Sequence, residues 1–319
     1  MRGFFRLLGL GVTLIATAAT AQPYPSKPIT IVVPFAAGSG TDSIARIIGQ
    51  YLQVALNQSV VVENKVGASG VLAATYVARA APDGYTLLMA TNSTHSANPY
   101  LFKNLSYDPV KDFAPVARIG SYVFMLVVNK DIPAKTLPEL VAFAKGNPGK
   151  LSFASGNTTG IVAGETLKSR AGIDVLHVPY KSTPPAINDV LGGRVSMMFI
   201  DLAPGLEHVR AGNFRALAVT TKERSSLLPD LPSLAEAGIP GYDVTSYAAL
   251  FAPAGTPKEI VDRLNAEVQK IIANPEAKSR IAVTGFDAFS GPPETLASFI
   301  QSELVNWGKL IRDAGIEQQ

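Results

Sequence analysis

"VARIGSYVFMLVVN", Val116 to Asn129, is a β-prone run that interrupts an otherwise regular alternation of strands and helices. Before it, the β-branched Ile29–Pro34 leads to Thr41–Leu56, with apolar residues at 44, 47, 48, 51, 52 and 55, the spacing of a helix with one buried face. Val60–Val62 and Thr86–Ala90 read as further buried strands around a helix at Val71–Ala80. Continuous apolar strands between helices predict a parallel sheet covered on both faces.

After the run and a proline-rich stretch, a second alternation begins. Helices are expected over Leu137–Lys145, Thr159–Ala171 and Pro185–Leu191, and strands over Leu151–Ala154, Val175–Pro179, Val195–Ile200 and Arg215–Thr220. A second long β run, Tyr242–Ala252, follows, and then helices at Pro257–Ala273, Pro275–Val283 and Pro293–Ala314, each opening on a first-turn proline. Two α/β units joined by two long β runs predict two lobes with a double crossover. One lobe would comprise residues 23–124 plus 250–319 and the other 125–249. A single doubly wound sheet with a helical tail is the alternative.

The first 21 residues have the pattern of a signal peptide. Arg2 and Arg6 precede the apolar run LLGLGVTLIATAATA, and Ala19-Thr20-Ala21 supplies the small residues of a cleavage site. Export is therefore expected, and the run is too short and too rich in small residues to anchor the chain. The whole chain has 28 Lys+Arg against 25 Asp+Glu, and the leader takes two arginines with it. The near-neutral remainder argues against nucleic acid as a partner. With no cysteine there are no disulfides and no thiolate chemistry, so a buried core must supply the stability.

Small, uncharged polar turns recur where strands end and helices begin: AAGSGTD (36–42), GASG (67–70), TNSTHSAN (91–98) and SGNTTG (155–160). Ligands of open α/β sheets bind at such strand ends. Several helix N-termini facing one space make an anion site from amides and helix dipoles, without arginines. The plain alternative is that each turn only caps its own helix. Known nucleotide motifs fail: Ser43 stands where a dinucleotide fingerprint needs glycine, and no Gly-Lys-Ser/Thr follows. GASG around Ser69 lacks the spacing of a nucleophile elbow. His95, in a polar turn, is a candidate to line a cleft. His177 reads as a satisfied core or edge residue and His208 as surface. No histidine pair has metal-ligand spacing, and no cofactor or metal is expected. Asp201 ends the apolar run VSMMFI, where a carboxylate must be hydrogen-bonded or used.

The stretches "YPSKPITIVVPFAAGSGTDSIARIIGQYL", "VVENKVGASGVLAATYVARAAPDGYTLLMAT", "NPYLFKNLSYDPVKDFAPVARI", "VPYKSTPPAINDVLGGRVSMMF" and "LFAPAGTPKEIVDRLN" closely resemble the Bug family. These are periplasmic solute receptors of tripartite tricarboxylate transporters, and the resemblance runs from about Tyr24 to the C-terminus. It implies an α/β, two-lobed periplasmic-binding-protein (Venus flytrap) fold with two crossover strands, monomeric, closing on a small organic carboxylate such as a dicarboxylate or aromatic acid. It also implies permease subunits in the membrane as partners. By matching position, the first-lobe contacts would be Ser39, Gly40, Thr41 and Asp42, with Ser69 and the stretch Thr91 to His95 (Thr91, Asn92, Ser93, Thr94, His95) beside them. On the second lobe they would be Ser155, Asn157, Thr158 and Thr159, with Asp201 orienting a water. The chain departs from the family where many relatives lead into His-Leu: it reads SGNTTGIVAGE, with Ile161-Val162 near that place. The contacts to the far end of the ligand, and its identity, stay open. Two other classes remain: a secreted hydrolase using Ser69 or Ser155 with His95, and a sensor that reports closure to a membrane partner.

Overall fold

Ile29–Val33 (β1) has side chains stiff at χ1 that fit a pleated, buried surface, and nearly all of it is inaccessible to solvent. The computed structural model describes residues 24–319, so the expected signal peptide lies outside the described residues. β1 is followed by α1 (Gly40–Leu56), β2 (Val60–Asn64), α2 (Val71–Ala78) and β3 (Thr86–Thr91). β1 pairs in parallel with both β2 and β3. Ile44, Ala45, Ile48, Leu52 and Leu56 form the buried stripe of α1, and Asn57 stops the helix in a left-handed conformation at φ 49°. A π-helical turn over Ser93–Ala97 leads into the short α3 (Asn98–Leu101).

Two strands then come from the run that breaks the alternation: β4 (Phe113–Tyr122) and β5 (Phe124–Asn129), with only Val123 between them. They belong to different sheets. Beyond β5 the chain builds α4 (Leu137–Gly146), β6 (Leu151–Ser155), α5 (Thr158–Ala171), β7 (Val175–Pro179), α6 (Thr183–Leu191), β8 (Met197–Asp201), α7 (Leu202–Arg210) and β9 (Phe214–Val219). It returns through β10 (Ser246–Pro253) and finishes with α8 (Lys258–Ala273), α9 (Pro275–Ala282), β11 (Phe286–Ala288) and α10 (Pro293–Asp313).

The first sheet has the order β11-β4-β10-β3-β1-β2 and the second β7-β6-β8-β5-β9. The expected parallel pairing holds for β1 with β2 and β3, and for β6 with β7 and β8. The crossover strands are antiparallel to their neighbours: β10 against β3 and β4, and β5 against β8 and β9. Both sheets are therefore mixed, because a strand that enters from the other unit arrives without a crossover helix to set it parallel.

Several boundaries shift by a residue or more from expectation, and three of the differences have a physical reason. β10 begins at Ser246, because Tyr242 and Val244 are spent elsewhere: Tyr242 OH donates to Ala163 O at 2.7 Å and Val244 N–H to Thr220 O at 3.0 Å. Pro257 is the N-cap of α8 rather than its first residue, whereas Pro275 and Pro293 do open α9 and α10. β11 was not expected; only Phe286 and Ala288 of it are buried. α10 touches both units. Leu296 and Ile300 pack with Tyr247 and Phe251, while Trp307 and Ile311 join Val162, Leu167 and Tyr242. Among the described residues no helix is long and apolar enough to cross a membrane.

Candidate functional site

The loop between β1 and α1 is shaped by one buried acid. Ser39 caps α1, its Oγ accepting from Asp42 N–H at 3.3 Å. Asp42 accepts from Gly38 N–H at 3.0 Å, Arg46 Nε at 3.0 Å and Asn64 Nδ2 at 2.9 Å. Asn64 also donates to Phe35 O at 2.8 Å, and Gly38 supplies the left-handed turn at φ 81°. Burial pushes the Asp42 carboxyl up, but the hydrogen bonds from Arg46, Asn64 and Gly38 outweigh it and hold the pKa below the usual range. Asp42 is thus spent on the loop. The first-turn N–H groups of Gly40 and Thr41 have no intrahelical acceptor, so they remain for a guest at the positive end of the helix dipole.

The second unit meets this loop directly. Three hydrogen bonds cross between the units: Ala36 N–H to Ser182 Oγ at 3.0 Å, Thr159 Oγ1 to Asn92 Oδ1 at 3.1 Å, and Thr158 N–H to Ser93 Oγ at 3.4 Å. Ser246 Oγ also donates to Asn92 Oδ1. Asn157 caps α5, accepting from Gly160 N–H at 2.9 Å. Between the units lies a tight cavity of about 20 Å³, walled by Phe35, Tyr122 and Phe124 and lined with Thr41, Thr91, Asn92, Ser93, Asn157, Thr159, Asp201 and Ser246. Among the described residues no lysine, arginine or histidine lines it. Three of its buried polar atoms have no partner: Asn92 Nδ2, Tyr122 OH and Asp201 Oδ1. Buried polar atoms left unpaired are costly, and a guest that pairs with them recovers that cost.

Of the residues proposed from the sequence, Thr41, Thr91, Ser93, Asn157, Thr159 and Asp201 line this inner cleft. Gly40 abuts Asp201, since a Cβ added there would stand 2.8 Å from Asp201 Cγ. Ser39 and Asp42 fix the loop from behind. Ser69 and Ser155 line an outer cleft of about 300 Å³ instead, together with Asn157, His177, Tyr180 and Lys181. Thr94 turns inward, its Oγ1 donating to Thr91 O at 3.1 Å. Thr158 is buried with its Oγ1 unpaired.

His95 is the correction. It does not line either cleft; its ring is fully buried, 4.1 Å from Phe251 and 4.7 Å from Phe113 between centroids. The π-helical turn after β3 aims it at the aromatic cluster below the sheet. Burial pushes its pKa down to about 3, so it is neutral at ordinary pH. A hydrolase built from Ser69 or Ser155 with His95 is excluded by this placement. His177 is the histidine near a serine: on the edge strand β7 its Nε2 sits 2.6 Å from Ser155 Oγ, with the ring stacked on Phe153. Among the described residues no carboxylate hydrogen-bonds to His177, so the pair lacks the orienting third group of a triad. Phe35, Tyr122, Phe124 and Ser246 were missed by sequence reasoning. Tyr122, Phe124 and Ser246 flank the two points where the chain changes sheet, the one signal that marks them.

Comparison with known proteins agrees with this geometry. Residues 44–316 match the model of the tripartite tricarboxylate transporter family receptor, TctC. Protein BugT of Bordetella pertussis is 35% identical over 319 residues, covering 97% of this chain and 98% of BugT. The structure of Rpa4515 from R. palustris with adipate superposes with a TM-score of 0.91 at 34% identity, covering 93% of this chain and all of that one. MatC from Rhodopseudomonas palustris with bound malate gives 0.84 at 34% identity, covering 90% of this chain and all of that one. With its family match, its two sheets and the cleft between them, the chain belongs to the tripartite tricarboxylate transporter receptor family of two-lobed solute-binding proteins.

Proposed function

We propose that this protein captures a small organic carboxylate outside the cytoplasm, closes two lobes over it, and presents the closed form to permease subunits of a tripartite tricarboxylate transporter. The observation that carries this reading is the inner cleft, where the N-terminus of α1 and the capped start of α5 converge and two donors, Asn92 Nδ2 and Tyr122 OH, are unspent. An anion held by amides, hydroxyls and helix dipoles fits such a lining. Adipate and malate, bound by the similar proteins, are small organic carboxylates.

In this account Gly40 and Thr41 N–H groups hold the proximal carboxylate, with Thr91, Ser93, Asn157 and Thr159 around it. The far end of a longer ligand extends toward Ser69 and Ser155 in the outer cleft. The moving units are close to the lobes expected above but divide at Val123 and before Ser246, so that Ser246–Ala249 move with the first sheet and Phe124 with the second, while α10 rests on both. The protein acts as a monomer and as a binder rather than a catalyst. Micromolar affinity, roughly −8 kcal/mol, suffices for a receptor that must release its cargo. Mass spectrometry of small molecules released on denaturing the purified protein tests this without a guess about the acid. An organic acid near one per chain is expected; release of a different chemical class in that amount contradicts the reading.

A further inference from the structure

Among the described residues Asp201 is the one acidic side chain that lines the inner cleft. It stands at the N-cap position of α7, where an aspartate ordinarily accepts from the first-turn amides, yet its side chain makes no capping hydrogen bond. It faces away from its own helix and toward the N-terminus of α1. Its Oδ1 is buried and unpartnered, and a Cβ on Gly40 would overlap it. A carboxylate bound on the Gly40 and Thr41 amides therefore sits within reach of a second carboxyl.

Among the described residues no cation lines the cleft to separate the two. From α1 the facing groups are Gly40 and Thr41, with Asp42 turned back onto Arg46; from the crossover it is Tyr122; from α5, Asn157 and Thr159; from β10, Ser246. The one ionisable neighbour is the Tyr122 phenol, which burial holds neutral. Two carboxylates in contact without a cation cannot both stay ionised, and one must keep a proton. We infer that Asp201 enters the closed complex as a carboxylic acid and donates its hydrogen bond to the ligand's carboxylate, so that capture takes up a proton. The inference rests on the carboxylate reading proposed above and adds the protonation state to it.

Burial alone already pushes Asp201 up to about 7 in this closed arrangement. In an open form, with the side chain in water, it returns toward the usual value of about 3.9. The sign follows. Where the open form is ionised and the bound form is not, binding takes up one proton and weakens as pH rises, by about tenfold per pH unit at full linkage. The side chain thereby selects against a ligand at alkaline pH and favours a carboxylate over a neutral isostere only while it holds its proton.

Titration calorimetry with malate, adipate and benzoate as probes, at pH 6.5 to 8.5 in two buffers of different ionisation enthalpy, tests this. For any probe that binds, uptake of about one proton and a dissociation constant rising several-fold to tenfold per pH unit are expected. Asp201→Asn should bind the same probe with little pH dependence and no proton uptake. Wild-type binding without proton uptake and with a flat pH profile overturns this inference and leaves the carboxylate reading intact. If none of the three binds at any pH, both are overturned. The buffer comparison on wild type decides the matter even if the variant does not fold.

Discussion

Asp42 and Asp201 are both nearly inaccessible, at 3% and 4% exposure, and their surroundings drive them in opposite directions. Asp42 is held ionised by Arg46, Asn64 and Gly38, so its contribution to stability is present above the unfolded value of about 3.9 and is lost as pH falls through the lower folded value. Replacing Asp42 by Ala should cost about 1–3 kcal/mol in urea unfolding at pH 7, because Arg46 and Asn64 lose their acceptor, and should weaken carboxylate binding through the loop rather than by a lost contact. His95 gives a second pH-dependent contribution. Its folded pKa of about 3 lies below the ordinary 6.5, so wild type should lose up to about 1.4 kcal/mol per pH unit as pH drops below 6.5. His95→Leu should lose less over the same range, as read from urea midpoints at pH 7 and 4.5. All three side chains sat in the right segments of the sequence. Which way each points was not legible there, because it depends on a π-helical turn and on partners such as Asn64, 22 residues from Asp42.

Helix starts were the most legible elements. Ser39, Thr136, Asn157 and Asn274 all accept cap hydrogen bonds from their own helices, and residues of these types before an apolar stripe announce a helix start. Two of those starts, on α1 and α5, became walls of the inner cleft. Gly40→Ala separates capping from closure. Alanine favours a helix and Gly40 has no left-handed backbone to preserve, so the unfolding free energy without ligand should stay within about 1 kcal/mol of wild type. The added Cβ overlaps Asp201 across the cleft. Carboxylate affinity should therefore fall by about tenfold or more, roughly 1.4 kcal/mol; unchanged affinity in calorimetry would show that the lobes do not close as described. The short β11 was not legible: three residues with one exposed side chain carry no period, and β4 alone decides their pairing.

At the scale of the whole molecule, the alternation of strands and helices foretold two α/β units, and the runs at Val116–Asn129 and Tyr242–Ala252 marked where the chain passes between them. The antiparallel insertion of β5 and β10 and the reach of α10 across both units were not legible, since both are settled by long-range packing. Trp307, the only tryptophan, is buried where α10 meets Leu167 and Tyr242. Trp307→Ala should cost about 3–5 kcal/mol, and a loss below 1 kcal/mol would mean that this end of α10 does not join the units. The central claim is that the cleft between them closes on a carboxylate. It is tested most directly by thermal unfolding at pH 7 with a series of small organic acids and their amides. At least one acid should stabilise by about 2.7 kcal/mol at 100 times its dissociation constant, while its amide has little effect; equal shifts from acid and amide, or none from any acid, would contradict it.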